Sequence, residues 1–163
     1  YVPQDGFLFS GTISENISFG KDNFTNQEIL EAAQTAEITD EIENFKEKYN
    51  TIIGERGVQL SGGQRQRISI ARAIFIKPSI YIFDDCLSSI DANKEKKILN
   101  NLKNKIKNNT NIIISHRTSS IQHSNYILVL EEGEISEQGT HEELIKNNGF
   151  YSEMYQKQTT ENL

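Results

Sequence analysis

The run Ser61-Gly62-Gly63-Gln64 packs two kinds of chemistry into four residues. Ser61 and Gln64 have the S-x-x-Q spacing of a capping box, so Ser61 is expected to start a helix. Gly62 and Gly63 then fall in the first turn. A glycine costs ~1 kcal/mol in a helix interior, but it lets a bulky group come close to the backbone. A helix start offers unpaired N–H groups and a partial positive charge, which together suit an anion. Arg65 and Arg67 add positive charge nearby. Downstream, Ile80–Asp85 reads I-Y-I-F-D-D, an apolar run that delivers two carboxylates at its end. Neighbouring strand residues point to opposite faces, so one of Asp84 and Asp85 can hold a metal through water while the other handles a different task, such as polarising a water. His116 follows a second apolar run, N-I-I-I-S, and is expected on the same sheet edge as Asp84, where it can donate to a phosphate oxygen. Gln4, in V-P-Q-D, carries an amide oxygen able to meet a metal or a water. Cys86 has no histidine at triad spacing and reads as packing, and His123 and His141 have no comparable placement. Taken singly, each of these groups is common; the four-residue glycine run alone also fits a flexible capped turn.

These residues need elements to position them. A helix is expected from Gly62 to Phe75, ending near Pro78. Ser79–Phe83 and Asn111–Ser115 read as short strands buried on both faces. Between them, Ile98, Leu102 and Ile106 recur at helical spacing in a helix expected over Asp91–Lys107. Upstream, a short helix is expected near Gly11, then one capped by Thr25 with Glu28, then a helical piece around Asp40–Lys48. Downstream, a short helix follows Arg117. Tyr126–Gly139 reads as a hairpin turning at Glu132-Gly133, Thr140 and Glu143 form another capping box, and a last helix is expected near Phe150–Gln158 before a polar, frayed tail. Strands alternating with helices in the second half argue for a parallel α/β sheet beneath a mostly helical first half.

The bulk properties narrow the function classes. At 163 residues, 36% hydrophobic and 25% charged, the chain reads as an ordinary globular domain. Its net charge of −6 argues against a nucleic-acid face. No apolar run approaches a membrane span, the best candidate being Ile68–Ile76, which contains Arg72. No secretory signal is visible. A single cysteine allows no intrachain disulfide and fits a reducing compartment. The chain opens on Tyr1 and its one methionine is Met154, so a preceding segment is expected.

In order along the chain, V-P-Q-D, L-S-G-G-Q-R-Q-R, I-Y-I-F-D-D, S-S-I-D and S-H resemble the nucleotide-binding domain of ATP-binding-cassette (ABC) transporters. The resemblance runs from Tyr1 to about Gln158. It implies an α/β, P-loop NTPase-like (RecA-like) core with an α-helical signature subdomain. The implied division is a Q-loop over 1–8, the helical subdomain over 9–77, a core portion over 78–158 and a tail over 159–163. It also implies the roles. Gln4 resembles the Q-loop glutamine, a ligand to Mg²⁺ and a link to the membrane domain. Leu60–Gln64 matches the signature, with Ser61, Gly62, Gly63 and Gln64 closing on the γ-phosphate of an ATP held by an opposing cassette. Asp84 resembles the Walker B aspartate that holds Mg²⁺, Asp85 stands at the catalytic base, Ser88–Asp91 is similar to the D-loop, and His116 resembles the switch histidine. T-I-I-G-E-R-G, F-L-F-S-G-T-I-S-E-N-I-S-F-G and the C-terminal H-E-E-L-I-K-N-N-G-F-Y-S-E-M-Y resemble the exporter branch. The implied setting is the cytoplasmic face of a membrane, as part of an integral transporter with a second cassette and a membrane domain as partners.

Three departures qualify that picture. No G-x-x-x-x-G-K-[ST] run is present, and Gly20-Lys21 is followed by Asp22. The phosphate cradle and the β-subdomain are therefore expected upstream, and the chain alone is expected to bind ATP poorly and to be inactive. The base position holds Asp, one methylene shorter than Glu. An intact signature beside such an Asp suits the degenerate-base half of a heterodimer, with an active homodimer as the competitor. Ile52 stands where the exporter segment has an acidic residue. Other classes remain open at this level: a DNA-repair or chromosome-organising ATPase, for which the heptads are missing, a non-catalytic truncated cassette, and an importer cassette, which lacks the E-R-G segment.

Overall fold

The computed structural model describes residues 1–19, 21, 23–54 and 57–161. Glu55 and Arg56 of the T-I-I-G-E-R-G segment lie outside the described residues, as do Gly20 and Asp22 around Lys21, and Asn162 and Leu163 of the tail. Two compact units divide the chain, residues 1–114 and 115–163.

The first unit joins a helical layer to a small parallel sheet. Strand β1 (Gly11–Thr12) pairs antiparallel with β2 (Ile52–Ile53). Helix α1 (Ile13–Ser18) starts at Thr12, whose side chain accepts from Glu15 N while Glu15 returns the bond. Helix α2 (Asn26–Thr35) starts at Thr25 with the expected Glu28 box. The single helical piece expected around Asp40–Lys48 is two: α3 (Thr39–Glu43) and a 3₁₀ turn at Lys48–Asn50. Lys48 has a φ of 46°, which no continuous right-handed helix tolerates. Helix α4 (Gly62–Ile76) is the longest, and its buried stripe runs through Gln66, Arg67, Ile70, Ala71 and Ile74. It ends at Lys77, in the left-handed region (φ 52°), one residue before Pro78.

Strand β3 (Ile80–Asp84), helix α5 (Ala92–Lys105) and strand β4 (Thr110–Ile114) form a parallel crossover in which Asp84 sits opposite Ile114. On the other edge of β3, Val2 N donates to Ile82 O at 2.8 Å and Asp84 N donates to Val2 O at 2.9 Å. Tyr81 and Phe83 are buried, as are Ile98, Leu102 and Ile106. The expectation that both strands are covered on both faces is not met: Ile80, Ile112 and Ile114 are each about half exposed. Burial alternates along β3, with Tyr81 and Phe83 buried and Ile80, Ile82 and Asp84 more open.

The second unit has its own core of Ile127, Val129, Leu144 and Tyr151. Helix α6 (Thr118–Ile121) precedes a hairpin of β5 (Ile127–Glu131) and β6 (Glu134–Gly139), which turns at Glu132 (φ 51°) and Gly133 (φ 86°), the two positive φ values of a type I′ turn. Helix α7 (His141–Asn147) carries the Thr140–Glu143 box. Helix α8 (Phe150–Glu161) runs three residues past Gln158, where a frayed tail was expected. Among the described residues, no helix is long and apolar enough to cross a membrane.

Candidate functional site: a signature pocket and a carboxylate strand end

Two places in the first unit gather the residues singled out by the sequence. The first is the start of α4. Ser61 is its N-cap: Ser61 Oγ accepts from Gln64 N (3.2 Å), and Ser61 N donates to Gln64 Oε1 (2.8 Å). Asp91 caps α5 in the same manner, its Oδ1 accepting from Lys94 N (3.0 Å). The two helix starts border one open cavity of about 430 Å³, lined by Ser61, Gly62, Gly63, Arg67, Ser89, Ile90 and Asp91. Both helices exceed a dozen residues, so their unpaired first-turn N–H groups add partial positive charge there.

The two glycines differ. A Cβ on Gly63 would lie 3.0 Å from the Ser89 carbonyl oxygen, whereas one on Gly62 would meet nothing closer than 3.8 Å. Gly63 thus has a reason inside this chain, the close passage of residues 88–90. The arginines expected to add local charge stay beside the cavity, each held by bonds to the protein. Arg67 is almost fully buried, with Nε on Gly63 O (3.1 Å), Nη1 on Glu37 O (2.7 Å) and a two-pronged bond to Glu41 (2.7 and 2.8 Å). Arg65 donates to Leu60 O (2.7 Å). Arg72 donates to Asn16 O and Phe7 O and lies over the rings of Phe9 and Phe19. Burial holds its pKa below the usual guanidinium value.

Glu41 receives Lys94 Nζ as well as Arg67, so it joins α3, α4 and α5. Burial pushes its carboxyl upward, but hydrogen bonds from Arg67, Lys94 and Gln64 outweigh that and bring it down to about 2. Nothing in the sequence marked Glu41, since its partners lie 26 and 53 residues away.

The second place is the carboxyl end of β3. Asp84 is the last strand residue, and its Oδ2 accepts from Tyr1 OH (2.7 Å). That bond, with the negative charge beside it, raises the Tyr1 phenol above its usual range. Asp85 is not a strand residue facing the other side, as expected, but a turn residue with φ 43°. Its N–H donates to Ile114 O (2.8 Å), its carbonyl accepts from Ser88 Oγ (2.9 Å), and its Oδ2 accepts from Gln4 Nε2 (3.2 Å). Gln4 and Asp85 therefore meet through the Gln4 amide nitrogen. Cys86 is buried, and burial, reinforced by Asp85 and Asp84, pushes its thiol up to about 12, which makes it a packing residue.

His116 belongs to the second unit. It is exposed, two residues beyond the end of β4, and its carbonyl accepts from Gln158 Nε2 (2.8 Å). His141 Nδ1 lies 2.8 Å from Tyr151 OH, a packing role.

A family model described as ABC transporter matches residues 1–88. The chain belongs to the ABC transporter family. YheI of Bacillus subtilis (strain 168), a probable multidrug resistance ABC transporter ATP-binding/permease protein, is 46% identical over 158 residues, which are 97% of this chain and 27% of YheI. MdlA of Buchnera aphidicola subsp. Schizaphis graminum, a multidrug resistance-like ATP-binding protein, is 48% identical over 158 residues, 96% of this chain and 27% of MdlA. The chain thus spans about a quarter of the length of these ABC relatives. A solved structure described as a bacterial Atm1-family ABC exporter with ATP bound matches with a TM-score of 0.91 at 42% identity, over 97% of this chain and 28% of that one. The mixed α/β fold is that of the matching part of this ABC exporter structure.

Proposed function

We propose that this chain is the signature-bearing part of an ATP-hydrolysing cassette in an ABC exporter, at the cytoplasmic face of a membrane. The observation that carries this reading is the cavity where the starts of α4 and α5 converge, with Ser61, Gly62, Gly63 and Asp91 on its walls. The positive start of α4 suits a phosphate, while the Asp91 carboxylate offsets the charge at the start of α5. In this reading Ser61, Gly63 and Gln64 close on the γ-phosphate of an ATP cradled by a second cassette. Asp84, Asp85, Gln4 and His116 serve the nucleotide on this chain's own side. Phosphoryl transfer to water needs positioning and charge neutralisation more than covalent chemistry. Gln4 holds Asp85 and the attacking water in register, Asp85 takes the water's proton, and His116 donates to the γ-phosphate.

The donor set fits Mg²⁺. Asp84 and Gln4 offer hard oxygen atoms, which this ion combines with water and phosphate oxygens. Among the described residues no group of three or more His, Cys, Asp or Glu side chains is assembled. When bound, Mg²⁺ would neutralise charge on the phosphates.

The intact signature beside Asp85 supports a reading in which this chain is the half with the weaker base in a heterodimer, its stronger service being to the partner's site. The test is ATP hydrolysis by the full-length transporter carrying this chain, alone and with the partner half, beside Asp85→Glu. We expect low activity alone, a rise of roughly 10²-fold with Asp85→Glu, and recovery with the partner. Brisk hydrolysis alone, unchanged by Asp85→Glu, would replace the heterodimer with a homodimer. No hydrolysis under any condition would remove the ATPase reading.

A further inference from the structure

Gln66 is a polar side chain in the middle of the buried stripe of α4, only 1% exposed. Its Nε2 donates to two backbone carbonyls more than 60 residues away, those of Pro3 (3.2 Å) and Gln4. Its Oε1 faces Gly6: a Cβ built there would collide with that oxygen and lie 3.0 Å from the Arg65 carbonyl. Residues 3–6 are therefore seated against the start of α4 through the Gln66 side chain, with Gly6 close to the Arg65 main chain. Two turns further on, Arg72 fastens the same segment by donating to Phe7 O (2.9 Å).

The segment fixed in this way carries Gln4, which holds Asp85 at the end of β3. The helix that fixes it carries Ser61, Gly62 and Gly63 at its start. We infer that Gln66 is a positioning residue that locks the Gln4 segment to the signature helix. The cavity at the start of α4 and the carboxylate end of β3 then shift together. A buried amide can do this because leaving its donors unmet costs more than the bond returns, so the seam has one favourable register. The inference rests on the ATPase reading for its effect on rate, but the seam itself does not.

The experiment uses the full-length transporter. Gln66→Met keeps the length and removes the donors. Gly6→Ala attacks the same seam from the other side and leaves α4 intact. Two readouts are taken. The first is hydrogen exchange of the Val2 and Phe9 amides, which flank the segment and donate to Ile82 O and Asn16 Oδ1, and it needs no ATP. Both variants should expose these amides while those of α4 stay protected. The second is steady-state ATP hydrolysis. Each variant should lower kcat by about tenfold with KM changed less than about threefold, and neither should lower it more than about twofold further in a Gln4→Ala background. Unchanged exchange at Val2 and Phe9 in both variants would overturn the seam. Changed exchange with fully multiplicative rate losses in the Gln4→Ala background would overturn the positioning role. If the unmodified transporter hydrolyses nothing, the ATPase reading falls, and the exchange data still decide whether Gln66 holds the segment.

Discussion

The start of α4 and the carboxyl end of β3 are proposed to serve the same reaction, yet they are built in opposite ways. The start of α4 is fixed several times over: a reciprocal cap, Arg67 on Gly63 O, a partly buried ion cluster around Glu41, and Ser89 pressed against Gly63. The end of β3 displays its carboxylates to Tyr1 and Gln4, both exposed side chains. The first arrangement is a finished surface that a rigid anion can meet without reorganisation. The second leaves its charged groups near water, where an incoming metal and phosphate can take them over. Stability is therefore concentrated at the signature pocket, and reactivity at the strand end.

That contrast can be broken in order of effect. Asp85→Asn removes the proton acceptor but no core contact. In the full-length transporter with its partner, hydrolysis at this chain's own site should fall by roughly 10²–10⁴-fold with the melting temperature almost unchanged. A large loss of stability would erase the distinction. Glu41→Gln should do the reverse, costing about 2–3 kcal/mol in denaturant unfolding because Arg67 is left buried with half its partners. The pH sign follows from the lowered pKa. The Glu41 contribution is fully present above its unfolded value of 4.5 and is lost as pH falls from there toward about 2. Unfolding measured across that window should show a slope that Glu41→Gln flattens. Smallest of all, Gly63→Ala should destabilise by about 1 kcal/mol through Ser89, while Gly62→Ala should be neutral or stabilise by about 0.5 kcal/mol through helix propensity. Equal effects of the two alanines would mean that residues 88–90 yield easily.

The caps were legible because their chemistry is local. Ser61, Thr25 and Thr140 each find a partner three residues on, and Thr12 with Glu15 carried the same signal, although the sequence reading placed that helix start only roughly. The α/β order was also accessible, whereas the bond from Gln4 to Asp85 was not, since it joins residues 81 positions apart. The turn at Asp85 was not, because the D-D pair looks like a strand end and nothing local reports a left-handed φ. Gln66 was missed for a different reason. Gln66, Ile70 and Ile74 share one helical stripe, so an amide in a core row was visible and implied a buried partner. Its partner could not be named, since it is main chain from the far end of the unit. One-sided burial of β3 and β4 was hidden because a row of isoleucines reads alike whether or not a second layer covers it.

The left-handed backbone at Asp85 has a further consequence for protein engineering. Asp adopts that conformation more readily than Glu, because its short side chain tolerates the crowding. Lengthening the residue therefore trades reach against backbone comfort. An Asp85→Glu protein should turn over faster and melt earlier, so selection for thermal endurance and selection for turnover would pull this one position apart.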